Sequence, residues 1–274
     1  MLLNNYKTTF ASNYCMKKYL LLTFFIVVNG IKLYSQTDIP FGAGEWLKFK
    51  MSYSGFLKAG NATLSVEETI YDNKPVYHVT GKGWTTGALK WFFKVEDLYE
   101  SYFDKATGAP YYFVRKIDEG GHTKNLRIKF NHELGQAYIN DLKRKKDTVV
   151  SVDEQVQDMV SAYYFLRSNY NKDMIEEGDV VSLNMFFDEE NYKFKLKFLG
   201  KETINTTFGK IKTLKFRPYV MAGRVFKEEE SLTLWVSEDD NKIPLRIKAD
   251  LAVGSLRADL EAFKGLKHSF KVQF

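Results

Sequence analysis

The sequence predicts a mainly β protein, built as a single curled antiparallel sheet (a half-barrel or open-barrel meander). One central α-helix and a short aromatic helix or loop are expected on its concave side. Three observations support this fold class. Short segments of alternating apolar and polar residues recur roughly every ten residues, with turns between them. One segment, 151–170, has helical periodicity instead, and a bulky apolar segment, 84–93, follows neither pattern.

The strands are predicted from side chains that alternate between apolar and polar, as on a sheet with one buried face. The clearest case is 192–198, where three lysines separate four large apolar residues. The predicted strands are 45–53, 62–66, 76–83, 95–103, 111–117, 126–130, 137–139, 148–152, 181–187, 192–198, 206–217, 231–237, 245–251 and 256–263. A long meander must curl or stack to bury its apolar side. No linker rich in Pro, Gly or Ser interrupts it, so we predict one domain over residues 36–274.

The segment 151–170 is predicted to form the central helix. Five apolar residues recur at spacings of three and four on one helical face: Val156, Met159, Val160, Tyr163 and Leu166. Ser151 followed by Glu154 fits a capping box at the helix start. A second row is polar, with members three residues apart: Asp158, Ser161, Tyr164 and Arg167. This row either faces a cleft and orients a ligand there, or docks the helix on the sheet.

Segment 84–93 interrupts the strand pattern with large apolar side chains. These are Trp84, Leu89, Trp91, Phe92 and Phe93, and they do not alternate with polar residues. One interpretation is a lid or rim over an apolar cavity, and the other is a plug that closes one end of the sheet's interior. Large apolar groups gathered where the strand pattern stops are typical of sites that hold hydrophobic ligands.

Residues 1–35 are predicted to be an upstream extension followed by a signal peptide. Lys17 and Lys18 precede an apolar run, 19–28, that is too short for a comfortable membrane span. Ser35 is a small residue at the expected cleavage point, and an uncleaved N-terminal anchor is the alternative. Removing this segment, with its four lysines and no acid, lowers the formal net charge from +6 to +2. It also removes the one cysteine, Cys15, so we expect a mature protein without disulfides. The signal peptide predicts an exported protein, in the periplasm or at the periplasmic face of the envelope.

No motif for catalysis or metal binding is recognisable in the chain. The patterns of zinc proteases, α/β-hydrolases, phosphate-binding loops and thiol oxidoreductases are all missing. None of the four histidines has another histidine or a carboxylate at ligand spacing; they are His78, His122, His132 and His268. We therefore predict no metal site and no cofactor, and we favour a protein without catalysis.

Two basic stretches bear on the choice of partner. The tip 143–146, Lys-Arg-Lys-Lys, is either a solvated hairpin turn or a patch for lipid or nucleic acid. Lysines of 193–197 and basic residues of 210–217 form a basic ridge if those strands pair. The ridge is either the solvated outer wall of the sheet or a surface that faces an anionic envelope partner. Because the net charge is small once the leader is removed, nucleic acid is not expected as a partner.

Several local patterns resemble a family of exported bacterial proteins known only as a domain of unknown function, DUF3108. They are the opening Gly44-Glu45-x-Leu47-x-Phe49-x-Met51-x-Tyr53, the pair Ala59-Gly60, the helix pattern Asp158-x-x-Ser161-x-x-Tyr164-x-x-Arg167 and the turn Thr206-x-x-Gly209. The resemblance covers nearly all of 41–265 and implies an envelope location without an established activity. The expected shape also looks like that of the LolA and LolB lipoprotein carriers, an analogy that assigns no residue.

We therefore predict a periplasmic protein that binds a hydrophobic ligand, a lipid or the acyl chain of a lipoprotein, in a cavity between sheet and helix. The alternative is a structural or assembly protein of the envelope with a filled core that docks a protein partner. An enzyme of unknown reaction is the third hypothesis. The expected ligand-lining residues are Trp84, Leu89, Trp91, Phe92, Phe93, Tyr163 and Phe165. The expected polar orienting residues are Asp158, Ser161, Tyr164 and Arg167. No transmembrane span is expected after signal cleavage.

Overall fold

The structure, a computed structural model, describes residues 39–87, 89–219, 231–251 and 253–272. Fourteen strands and two helices lie in these ranges. The first eight strands are β1 (Trp46–Tyr53), β2 (Leu57–Tyr71), β3 (Lys74–Thr85), β4 (Val95–Asp104), β5 (Pro110–Glu119), β6 (His122–Asn131), β7 (Gln136–Asp141) and β8 (Lys146–Ser151). Helix α1 (Leu89–Phe92) lies between β3 and β4, and helix α2 (Met159–Ser168) follows β8. The remaining strands are β9 (Val180–Phe187), β10 (Glu190–Thr206), β11 (Gly209–Tyr219), β12 (Leu232–Ser237), β13 (Pro244–Asp250) and β14 (Ser255–Lys264).

All fourteen strands belong to one antiparallel sheet. Each strand pairs with its neighbours in sequence, except that β1 pairs with β14 and joins the beginning of the sheet to its end. This ladder runs from Trp46 opposite Lys264 to Tyr53 opposite Leu256, with a bulge between Lys48 and Phe49. The two edges of the sheet are therefore β8 and β9, which are consecutive in the chain and flank α2. The sheet is an open meander, as the alternation predicts.

The segment that leads from β8 into α2 partly covers the free edge of β9. Gln157 forms a parallel bridge with Met185. Its N–H donates to the carbonyl of Asn184 at 2.8 Å, and its carbonyl accepts from the N–H of Phe186 at 2.9 Å. These bonds satisfy backbone groups that an edge strand otherwise presents to solvent.

Helix α2 packs on the concave face and contacts two groups of buried apolar side chains. Val160 and Tyr164 belong to the group formed mainly by β2–β7. Ala162 and Leu166 belong to the group formed mainly by β9–β12. A third group, with Leu47 and neighbouring side chains, lies where β1 and β14 meet β10–β13. The concave face around α2 is therefore occupied by core side chains.

The predicted fold class and strand count are confirmed, whereas the predicted start of the central helix is wrong. Ser151 is the last residue of β8, and α2 begins after Asp158. The capping box is made by Asp158 and Ser161, not by Ser151 and Glu154. Asp158 is the N-cap of α2 because its carboxylate accepts two backbone N–H groups of the first turn. Gln157, just before it, bonds instead to β9.

The N-terminal leader predicted at residues 1–35 lies outside the described residues. In the part of the chain that the structure does describe, neither helix is long and apolar enough to cross a bilayer.

Candidate functional site

A groove of about 680 Å³ crosses β3, β4, β5 and β6 on the face of the sheet opposite α2. Its position follows from strand alternation. Val79, Ser101 and Phe113 are paired neighbours that point toward α2, since Ser101 bonds Asp158 and the other two belong to the core around Tyr164. Residues an odd number of positions away on the same strands point to the opposite face.

Two parallel rows of outward side chains form the walls of this groove. One row runs through paired residues Lys82, Leu98, Lys116 and Asn125. The other runs through Trp84, Glu96, Asp118 and Thr123. The two rows are two residues apart along each strand, which is roughly 7 Å. The groove therefore offers apolar surface from both walls, with cations on one side and carboxylates on the other.

The charges of the two walls are only partly compensated. Lys94 pairs with Glu96 at 2.8 Å and lies 3.9 Å from Asp118. Lys143, at one end of the groove, donates to the carbonyl of Thr123 at 3.0 Å. Both carboxylates and both wall lysines stay within reach of solvent, so they suit the polar part of a ligand better than its apolar part.

The floor of the groove is the strand backbone between the two rows. Asp97 belongs to that backbone, but its side chain points to the α2 side, as does Ser101 four residues along β4. Asp97 is half-buried, and its carboxylate accepts the N–H of Asp118 at 3.3 Å. Burial, and then the charge of Glu119, raise the pKa of Asp97 to about 6, against the opposing influence of Arg115. Asp97 therefore carries a proton more readily than an ordinary surface aspartate.

Helix α1 connects the ends of β3 and β4 that line the groove. Trp91 and Phe92 project into solvent with exposed fractions of 89% and 86%. Phe93 lies against Gly120 in the β5–β6 turn, where a positive φ and the nearby ring leave no room for a side chain. The aromatic segment is thus anchored beside the groove and does not enter the interior of the sheet.

The polar row of α2 forms the contacts that hold the helix on the sheet. Asp158 is buried, and its carboxylate accepts the N–H groups of Val160 and Ser161, both at 2.8 Å. The same carboxylate accepts the hydroxyl of Ser101 on β4 at 2.6 Å. In return the N–H of Asp158 donates to Ser161 Oγ at 2.9 Å. Burial raises the pKa of Asp158 to about 6, although these hydrogen bonds from Ser101, Ser161 and Val160 lower it.

Arg167 is buried at the other end of this row and pairs with Glu45. Its Nη1 and Nη2 donate to the two carboxylate oxygens of Glu45 at 2.7 and 2.9 Å. Its Nε and Nη2 also donate to the carbonyl of Asn241, and Nη2 donates to the carbonyl of Pro40. The ring of Tyr164 lies 5.4 Å from the guanidinium carbon. Helix α2 is thereby tied to the segments before β1 and β13.

The structure brings only part of the predicted site together. Trp84 lines the groove, whereas the exposed aromatic residues of 91–93 are not among its lining residues and lie in the connection between β3 and β4. Tyr163 and Phe165 pack against the core groups on the opposite face, and all four polar residues of the α2 row are buried. Sequence reasoning missed Leu98 and the wall lysines, because rows across a sheet become visible only once the register is known. Within the described ranges, no group of three or more His, Cys, Asp or Glu residues is placed to hold a metal ion.

Comparisons with known proteins agree with this architecture. The family model described as "Protein of unknown function (DUF3108)" matches residues 48–261. A β-barrel-like protein of the domain of unknown function DUF1849 from Brucella abortus superposes with a TM-score of 0.54 at 10% identity, covering 82% of this chain and 98% of that one. This likeness concerns the fold alone.

Two more solved structures match with lower scores. A candidate exported protein with a YmcC-like fold from Bacteroides fragilis has a TM-score of 0.34 at 11% identity, covering 82% of this chain and 98% of that chain. A candidate lipoprotein from Parabacteroides distasonis has a TM-score of 0.30 at 12% identity, with the same coverage. No curated protein matches this chain.

Proposed function

The chain belongs to the DUF3108 family, whose function is unknown, and we propose that it binds an amphipathic lipid in the outer groove that crosses β3–β6. In this proposal it is an exported envelope protein without catalysis. The observation that carries this proposal is the groove itself, which is walled by Trp84 and Leu98. Its volume of about 680 Å³ falls within the range of roughly 300–1,000 Å³ that is usual for small-molecule sites.

The walls divide the groove in a way that suits an amphipathic ligand. Trp84 and Leu98 supply apolar surface on opposite walls, where an acyl chain loses contact with water. Lys82 and Lys116 face Glu96 across the groove and offer charged groups to a polar head. Trp91 and Phe92, which are exposed in the connection between β3 and β4, serve in this proposal as the lid that covers a bound chain.

The proposal is tested by titrating the exported protein with cis-parinaric acid, a fluorescent fatty acid. Changing Trp84 to Ser removes the largest apolar group of the groove and should weaken binding about tenfold, which corresponds to about 1.4 kcal/mol. Trp46→Ser is the matched control, since Trp46 is also half-buried on a strand but lies outside the groove. Equal affinities of the two variants, or no binding by the wild-type protein, would contradict the proposal.

The filled concave face favours one alternative, an envelope scaffold that docks a protein partner. Tyr164, Phe103 and Phe186 are among the largest fully buried side chains there, and they leave the α2 side of the sheet occupied. Organic extraction of the exported protein followed by mass spectrometry separates the two functions. Near-stoichiometric lipid supports binding in the groove, whereas a protein that carries no lipid and takes up no fatty acid supports the scaffold.

We further propose that the protein is exported through cleavage of its leader after Ser35. Intact-mass measurement of the protein recovered from the envelope fraction of expressing cells should give a chain that begins at Gln36. A mass that includes residues 16–35 would instead support the N-terminal anchor. The prediction rests on the basic Lys17-Lys18 pair and the short apolar run that follows it.

A further inference from the structure

Among the residues that the structure describes, the exposed Phe and Trp side chains lie together at one end of the sheet. In an antiparallel meander every second connection falls at the same end. The registers place Tyr53 opposite Leu256, Gly60 opposite Thr85, and Val95 opposite Glu119. The β1–β2, β3–β4, β5–β6 and β13–β14 connections therefore share one end, which we call the α1 end.

In the described residues, four Phe or Trp side chains are exposed, and all four lie at the α1 end. They are Phe56 in the β1–β2 turn, Trp91 and Phe92 in α1, and Phe93 after it. Leu57, the first residue of β2, and Val253, in the β13–β14 connection, add exposed aliphatic groups to the same end. Apolar side chains from three separate connections are thus exposed at the same end of the sheet. Exposed apolar groups that cluster in this way usually mark a surface that a partner or a membrane covers.

Basic side chains accompany these apolar tips. The β7–β8 turn also lies at the α1 end, because Leu126 near the start of β6 pairs with Asp141 at the end of β7. Lys145 in this turn and Lys146 at the start of β8 are exposed, and no ion pair involves either of them within the described residues. Lys58 and Lys90 are likewise exposed at this end. The acids at this end include Glu189 in the β9–β10 turn and Glu190 at the start of β10. Asp188 of that turn is already paired with Arg115 and Lys124, and Lys94 pairs with Glu96 and lies 3.9 Å from Asp118.

We propose that the α1 end docks on the surface of an anionic lipid bilayer. Trp and Phe at the tips of separate connections, with lysines between them, match the boundary between acyl chains and headgroups, where aromatic rings and basic side chains are both favoured. Each exposed lysine near an anionic surface adds attraction that salt screens. A protein partner would fit a continuous patch better than tips spread over several connections. Docking does not depend on the groove, because Phe56 and Val253 do not line it.

The test is flotation of the exported protein with vesicles made of equal parts phosphatidylglycerol and phosphatidylcholine. The Phe56→Ser, Val253→Ser double variant should lower the partition coefficient about tenfold or more, because two apolar tips are lost. The control is Ile70→Ser with Leu134→Ser, which removes exposed apolar groups from the last part of β2 and from the β6–β7 turn, both at the opposite end. Val253 and Ile70 form a close match, with exposed fractions of 78% and 73%.

A second pair of variants tests the charges. Lys145→Glu with Lys146→Glu should reduce binding to the mixed vesicles several-fold and should leave binding to pure phosphatidylcholine vesicles unchanged. Lys210→Glu with Lys212→Glu, at exposed positions near the β10–β11 turn, is the control and should behave as wild type.

Three outcomes would overturn the proposal: no flotation of the wild-type protein, equal losses in the two apolar variants, or equal losses in the two charge variants. The Phe56→Ser, Val253→Ser variant should still bind cis-parinaric acid with wild-type affinity. That measurement separates failure of bilayer docking from failure of ligand binding in the groove.

Discussion

Replacing Arg167 with Met should lower the free energy of unfolding by about 3–5 kcal/mol, because it leaves the carboxylate of Glu45 buried without a partner. The guanidinium and this carboxylate are almost completely shielded from solvent and share two short hydrogen bonds. The carbonyl of Asn241 would also lose its donors. Urea unfolding at neutral pH, followed by far-ultraviolet circular dichroism, measures the effect.

An exposed ion pair provides the control for this prediction. Lys48 and Glu261 are separated by 2.8 Å but remain in contact with solvent. Lys48→Met should therefore cost less than about 1 kcal/mol. The double variant Glu45→Leu, Arg167→Met should recover part of the loss, since no charge is then left unpaired. A cost for Arg167→Met as small as that for Lys48→Met would show that the buried pair does not hold α2 in place.

The stability of the wild-type protein relative to Asp158→Asn should fall by up to about 3 kcal/mol as the pH rises from about 4 to 7. Burial raises the pKa of Asp158 from 3.8 to about 6 in the folded protein. Between these two values the folded state holds more protons than the unfolded state, so raising the pH disfavours folding. Above about pH 6 the carboxyl is ionised in both states and the difference stops changing.

The comparison with Asp158→Asn isolates this one carboxyl group. Asp97, whose pKa is also about 6, titrates in both proteins and cancels from the difference. The amide still accepts hydrogen bonds from the first turn of α2 but does not titrate. Unfolding in urea at several pH values gives the difference directly, and a difference that stays constant across the range would contradict the prediction.

The strands were predictable from sequence because alternation is a local property. The alternation at 192–198 predicts which side chains face the core and requires no information about any other strand. Strand β10 contains that segment. The start of α2 was also predictable from neighbouring residues, because Asp158 and Ser161 form its capping box. The predicted helix began too early because Val156 also fits the helical spacing. Its backbone is instead continuous with the segment that bonds to β9.

The site depended on information that periodicity does not contain. Arg167 and Glu45 come from distant parts of the sequence, so nothing near either residue indicates that one neutralises the other. The groove depends on register in the same way: a shift of one residue between β4 and β5 would move Lys116 out of the row with Leu98. The aromatic segment was found because it broke a pattern, but its exposure required the structure.

The ladder between β1 and β14 has a consequence for how this chain is made. During synthesis β1 acquires its second neighbour only when β14 has emerged. Until then a long hydrogen-bonding edge stays open to other chains. Such a high contact order slows folding, so dilution or a chaperone that shields this edge is expected to raise the yield of folded protein.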